Sequence, residues 1–182
     1  KKKIRKSELI DLIKKAIQTE SLALPVTDVK NKEIVSIDWD NIDIDTMFLH
    51  DDYGCYSIIE QVYEKGALCV ICEKAPENPK GAYILVESSF QALKDVARFY
   101  RENLNIKVVG ITGSVGKTST KEFIASVLET HYKVLKTEGN FNNEVGLPLT
   151  VLRIQDDTEV AVLEMGISDF GEMHRLSEIA KP

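Results

Sequence analysis

Residues 106–128 read IKVVGITGSVGKTSTKEFIASVL, an apolar run, a turn punctuated by Gly113 and Gly116, and an amphipathic segment, joined without a break. The apolar run predicts a strand over 106–111, and the spacing of Phe123, Ile124, Val127 and Leu128 predicts a helix over 118–130. Between them the two glycines let the backbone turn so that successive N–H groups face one point. The helix opening near Lys117 adds its unpaired N–H groups and the positive end of its dipole. Such a turn is a cradle for an anion, and the spacing assigns a nucleotide phosphate to Thr112, Gly113, Ser114, Val115, Gly116, Lys117, Thr118 and Ser119. Lys117 is placed to reach the β- and γ-phosphates and Thr118 to offer its hydroxyl to Mg²⁺. The longer spelling GxxxxGK[ST] would need glycine at 111, where Ile111 stands, so the shorter TGxxGKT[ST] at 112–119 carries the reading. A dinucleotide site is disfavoured because the turn is not GxGxxG. No guanine-reading NKxD follows the loop, which favours ATP over GTP.

Downstream the pattern alternates: strand 132–136, loop 137–145, helix 147–154, strand 159–164 and helix 171–180. That order predicts a parallel sheet covered on both faces. Glu164 closes the apolar run EVAVLE at the carboxyl end of its strand, where a parallel sheet forms its ligand crevice, and is a candidate to hold Mg²⁺. The loop TEGNFNNE holds Asn140, Asn142 and Asn143. The residues leave two readings open there: turn chemistry, or amide donors and acceptors for a polar substrate. His174, next to Arg175, reads as a surface helical histidine, and His50 and His131 belong to no constellation.

Upstream, Ser7 caps a helix carrying Leu9, Ile10, Ile13 and Ile17, strands follow at 34–37 and 47–49, and a second helix spans Ser57 to Glu64. Strands at 67–72 and 82–86 complete a small mixed α/β unit. A helix opening at Ser88 or Ser89, with Phe90, Leu93, Val96, Ala97 and Tyr100 on its apolar face, connects it to the loop-bearing unit. The expected organisation is residues 1–86, a connecting helix 87–105, and 106–182. The fold class is therefore α/β, a small mixed α/β N-terminal domain followed by part of a P-loop parallel-sheet ATPase domain.

The chain has 182 residues, enough for one core or two small ones. Its 23 Lys and Arg against 29 Asp and Glu give a net charge of −6, which argues against a broad phosphate-tracking surface for nucleic acid. The one basic cluster, Lys1 to Lys6, reads as a solvated terminus. No apolar run reaches the length of a membrane span and no signal-like segment follows the basic start, so the cytoplasm is the expected compartment. Cys69 and Cys72 form CxxC inside an apolar strand, with no second pair to complete a zinc site, and with Cys55 they read as packed, inert thiols.

TGSVGKTST (112–120), TEGNFNNEVGLPLT (137–150) and VAVLEMG followed by GEMHRLSEIAKP (160–182) together resemble the Mur ligase family, whose motifs occur in this order. The resemblance implies an ATP- and Mg²⁺-dependent, amide-forming ligase in which the substrate carboxylate is phosphorylated to an acyl phosphate and then attacked by an amine. The implied partners are a UDP-muramoyl-tripeptide-like substrate and a dipeptide amine, D-alanyl-D-alanine, used in peptidoglycan synthesis. Carried over by motif, Lys117, Glu164, Asn142 and Asn143 form the catalytic set, with Thr118 and Glu164 on the metal. The two asparagines resemble the family's pair beside the γ-phosphate and the uridylated substrate. Residues 1–86 resemble the family's UDP-substrate domain with degenerate motifs: Trp39-Asp40 replaces Ser-Arg, Asp45-Thr46 replaces Gly-Asp, and Tyr53-Gly54-Cys55 stands for Asp-Gly-His, leaving Ser36 and Gly54 as contacts. Exchanging arginine for an acid at a diphosphate-facing site also admits a related ligase acting on another carboxylate, and a P-loop NTPase or nucleotide-binding module is the alternative from outside the family. The family's later histidine and carbamylated lysine lie in regions beyond these residues, so residues 1–182 are expected to form no amide bond alone.

Overall fold

A computed structural model describes residues 3–5, 34–36, 48–49, 69–75 and 81–182. The chain divides into two compact units, 1–96 and 97–182, and the division falls inside the first helix among the described residues, α1 (Ser89–Glu102).

In the first unit, β1 (Lys3–Arg5) pairs antiparallel with β2 (Ile34–Ser36). The sequence did not announce β1, because Lys-Ile-Arg is too short and too charged to show a period of two. The strands β3 (Phe48–Leu49), β4 (Cys69–Cys72) and β5 (Ala82–Leu85) form a parallel sheet in that order. Val70, Ile71, Cys72, Tyr83 and Ile84 are buried, as expected of a strand covered on both faces. Burial, and after it the charge of Glu73, pushes the Cys72 thiol up to about 11, which keeps it protonated and unreactive at neutral pH. Glu73 also holds the start of α1: its Oε1 accepts from the Ser89 amide at 2.8 Å and the Ser89 hydroxyl at 2.9 Å. Ser88 Oγ accepts from the Gln91 amide at 3.2 Å, so it is Ser88 that caps this helix. The expected helices from Ser7 and from Ser57 to Glu64 lie outside the described residues.

The second unit is built on β6 (Lys107–Ile111), β7 (Val134–Lys136) and β8 (Val160–Glu164), all parallel, in the order β6-β8-β7. The helix α2 (Lys117–Leu128) packs on all three strands. It places Ala125, Ile124 and Leu128 against Val109, Ile111, Val134, Val160 and Val162. Phe123 and Val127, which share the helical spacing, are 73% and 69% exposed. At 100° per residue the face toward the sheet admits Lys121, Ala125 and Leu128 with Ile124 at its edge, and turns Phe123 and Val127 outward. Alternation sends Ala161 and Leu163 to the opposite face of β8, and both are fully buried. There α3 (Gly146–Leu152) contacts β8 and α4 (Glu172–Ala180) contacts β6. Pro148 stands in the first turn of α3, where its missing N–H has no partner to lose.

Arg101, buried near the end of α1, ties the C-terminus of α4 in place. Its Nε donates to the Ala180 carbonyl at 2.9 Å and its Nη2 to the Lys181 carbonyl at 3.0 Å, while Nη1 reaches the Leu104 carbonyl at 3.2 Å. The last carbonyls of a helix lack intrahelical donors, and a guanidinium supplies them. Among the described residues no helix is long and apolar enough to cross a membrane. Replacing Arg101 by Met orphans these carbonyls and is expected to lower the unfolding free energy by about 2–4 kcal/mol, read from the shift of the urea midpoint.

Candidate nucleotide-binding site

The register of the sheet brings the parts of the site together. In the pairing of β6 with β8, Ile111 lies opposite Glu164, so the residue that feeds the glycine turn and the residue that closes the apolar strand are neighbours at one sheet edge. Thr112 to Gly116 form an exposed turn. Gly113 and Gly116 adopt φ of 142° and 80°, conformations that a Cβ would strain, and Gly116 is the N-cap of α2. Lys117 is the first helical residue and bends back so that its Nζ donates to the Gly113 carbonyl at 2.7 Å. The ammonium therefore sits over the mouth of its own turn. Thr118 and Ser119 are exposed in the same first helical turn.

Glu164 is 2% exposed. Asn142 Nδ2 donates to its Oε1 at 2.8 Å, and the Asn142 carbonyl accepts from the Gly166 amide at 2.8 Å. A carboxylate only accepts, so the amide nitrogen of Asn142 must be the atom facing it. The second oxygen, Glu164 Oε2, is buried and has no hydrogen-bond partner among the described residues. A buried carboxylate oxygen without a donor is costly, and a cation satisfies it. The donor types suit Mg²⁺: a carboxylate and the Thr118 hydroxyl are hard oxygens. Among the described residues no group of three or more His, Cys, Asp or Glu comes together. Mg²⁺, which prefers to keep waters and phosphate oxygens in its shell, is the ion that such a sparse site fits.

The two asparagines divide their work. Asn143 Oδ1 accepts from the Val145 amide at 3.1 Å and the Gly146 amide at 2.8 Å, holding the entry to α3. Both acceptor positions of that oxygen are used by the backbone. The rest of the loop is braced from α3 and α4. The Arg153 guanidinium lies 5.2 Å from the centroid of the Phe141 ring, with its Nη1 3.6 Å from Glu138 Oε2, and Arg175 pairs with Glu144. Both arginines are thus engaged in holding this loop. His174 is exposed on α4, 3.7 Å from Glu178, as its spacing implied.

No sequence signal singled out Lys121 and Thr137. Lys121 Nζ donates to the Thr137 carbonyl at 2.6 Å, and the Thr137 hydroxyl accepts from the Glu164 amide at 2.9 Å. Their importance comes from burial and from partners distant in sequence, neither of which a motif spells.

A parallel strand leading through a glycine turn and a lysine into a helix, beside a strand that ends in a buried acid, defines the P-loop class of nucleotide-binding α/β proteins. Within that class residues 111–182 match the Mur ligase middle domain, and over this segment the chain belongs to the Mur ligase family. The UDP-N-acetylmuramoyl-tripeptide–D-alanyl-D-alanine ligase of Bacillus subtilis is 48% identical over 129 residues, which is 70% of this chain and 28% of that protein. The crystal structure of the MurF ligase of Thermotoga maritima in complex with ADP is 40% identical, with a TM-score of 0.62 over 69% of this chain and 29% of its own. A crystal structure of MurF from Acinetobacter baumannii covers 94% of this chain and 38% of its own, at 26% identity and a TM-score of 0.73. The chain thus spans under a third of the length of the curated relative it matches.

Gly146 is a point at which the asparagine loop is sensitive to a single atom. A Cβ there would stand 2.4 Å from the Phe141 Cα and 2.6 Å from its carbonyl carbon, both main-chain atoms that cannot rotate away. Gly146→Ala is expected to displace the loop and destabilise the protein by about 1–3 kcal/mol, measurable as a lowered urea midpoint.

Proposed function

We propose that the whole protein is an ATP-dependent ligase that joins D-alanyl-D-alanine to UDP-N-acetylmuramoyl-tripeptide in peptidoglycan synthesis. In this reading residues 106–182 supply the nucleotide-binding part, residues 1–86 the substrate-binding-like domain with 87–105 connecting them, and the enzyme works in the cytoplasm. The observation that carries it is the buried Glu164 carboxylate, fixed at one oxygen by Asn142 and lacking a partner among the described residues at the other, in register with the residue before the glycine turn. The names of the relatives and the ADP-bound neighbour support the choice of substrates and nucleotide.

In this reading the work divides as follows. The amides of the turn from Thr112 to Gly116 and the first turn of α2 receive the phosphates, with Ser119 completing the edge. Lys117 exchanges its bond to the Gly113 carbonyl for the β- and γ-phosphates. As the substrate carboxylate oxygen bonds to the γ-phosphorus and the bond to the β-phosphate oxygen breaks, negative charge spreads over the phosphoryl oxygens, and a preplaced ammonium is worth most at that moment. Thr118 and Glu164 would hold Mg²⁺, which when bound neutralises the triphosphate and polarises the transferred group. Asn142 keeps the carboxylate oriented, and Asn143 presents its Nδ2 toward the substrate side. The amine of the dipeptide then bonds to the acyl carbon, the acyl C–O bond breaks to release phosphate, and the amine loses a proton to give the amide.

The replacement of Ser-Arg by Trp39-Asp40 favours a second reading, a ligase of the same type with another carboxylate substrate. One experiment separates them. The full-length protein is incubated with ATP, Mg²⁺, UDP-N-acetylmuramoyl-tripeptide and D-alanyl-D-alanine, and phosphate and amide are both followed. Matched phosphate and amide that require all four components are the expected result, and Lys117→Met should slow turnover about a thousandfold. Turnover with a different carboxylate alone supports the second reading, while ATP hydrolysis that needs neither substrate overturns both.

A further inference from the structure

We infer that Lys121 is a positioning residue that sets Glu164 and the asparagine loop against the phosphate loop; this deepens the ligase reading and rests on it. Lys121 lies one helical turn beyond Lys117 in α2 and is 2% exposed. Packing alone does not ask for a lysine on a helix face turned to a sheet, since an apolar side chain of that length fills the space without the desolvation of an ammonium. What requires a cation is the carbonyl it meets.

In a regular parallel ladder, a residue that donates its N–H to one neighbour accepts at its carbonyl from the N–H two residues further along the neighbouring strand. Thr137 makes the first of these bonds, its amide donating to the Val162 carbonyl at 3.0 Å. The second is replaced. The Glu164 amide donates at 2.9 Å to the Thr137 hydroxyl and not to the carbonyl. The carbonyl of Thr137, a fully buried residue, is thereby released from the sheet, and Lys121 Nζ donates to it at 2.6 Å. Lys121 is also 3.1 Å from Glu122 Oε1, which offsets its charge from the exposed side.

The exchange ends β7 and turns the chain into the loop that brings Asn142 onto Glu164. Glu164 is then held twice through this loop, at its main-chain N–H by Thr137 and at its carboxylate by Asn142. Both holds depend on the Thr137 carbonyl remaining out of the ladder, and the ammonium that keeps it out belongs to the helix that starts at the phosphate loop. Without that ammonium the carbonyl is free to retake the Glu164 N–H, extending β7 by one residue and swinging the loop off the carboxylate.

The test uses the full-length protein, with Mn²⁺ as a paramagnetic probe of the cation site in the presence of ADP and with ligase turnover measured in parallel. Lys121→Met is expected to weaken Mn²⁺ binding roughly ten- to a hundredfold, the range seen when partners of metal ligands are removed, while ADP affinity in EDTA is unchanged. Thr137→Val, which keeps the shape and removes the hydroxyl, should reproduce the loss, and Thr137→Ser should restore wild-type binding. The threonine pair decides the matter should Lys121→Met fail to fold. A folded Lys121→Met that binds Mn²⁺ like the wild type and differs only in melting temperature overturns the inference, as does a Thr137→Val with wild-type Mn²⁺ affinity. Wild-type protein without ligase turnover, but with Mn²⁺ binding that depends on Lys121, sinks the ligase reading and leaves the inference. Wild-type protein that binds no Mn²⁺ with ADP overturns both.

Discussion

The parallel pairing of β6 with β8 is the constraint on which the second unit depends. Backbone hydrogen bonds hold Ile111 opposite Glu164 with no contribution from their side chains. The glycine turn and the acid therefore emerge side by side, although more than fifty residues separate them. A shift of one residue in that register would send Glu164 to the other face of the sheet, because side chains alternate along a strand. The apolar residues of β8 resist such a slip on both sides. Val160 and Val162 are locked against α2, and Ala161 and Leu163 are buried on the reverse face.

Around that edge the molecule distributes charge unevenly. Lys117 rests on a carbonyl of its own turn, Lys121 is buried against another, and Glu164 carries an oxygen with no donor among the described residues. A fold selected for stability alone would avoid a buried acid with one oxygen unsatisfied and a buried ammonium in the same unit. Their presence suits the proposed site, whose electrostatics a polyphosphate with its cation would complete. The loop from Thr137 to Val145 joins these elements, and nearly everything that touches it is a brace: Arg153 on Phe141, Arg175 on Glu144, Asn143 at the start of α3.

Where sequence reading succeeded, the physics was local. Gly113 and Gly116 announce positive φ, the alternation of apolar runs announces a parallel sheet, and the acid ending EVAVLE announces its place at the sheet's edge. The spacing of apolar residues gave the helix but not which of two adjacent ones faces the sheet, and Phe123 and Val127 stand outside. It was blind to β1, too short to carry a period. The paired asparagines looked equivalent in the motif. Only the turn into α3 separates them, by drawing the oxygen of Asn143 onto two backbone amides while Asn142 reaches Glu164.

The chain's own spelling determined the class of protein, since a strand, a glycine turn, a lysine and a helix in succession need only neighbouring residues to form a phosphate cradle. It also determined which acid belongs with that cradle, because a strand of such apolarity can end only at the sheet's carboxyl edge. The tertiary structure alone decided that Lys121, a residue of no evident motif, takes the Thr137 carbonyl, and that the Thr137 hydroxyl takes its place beside Glu164. Those choices depend on which donor is nearest a buried acceptor after the sheet and helix have packed. That proximity is a property of three dimensions, and no spacing along the chain encodes it.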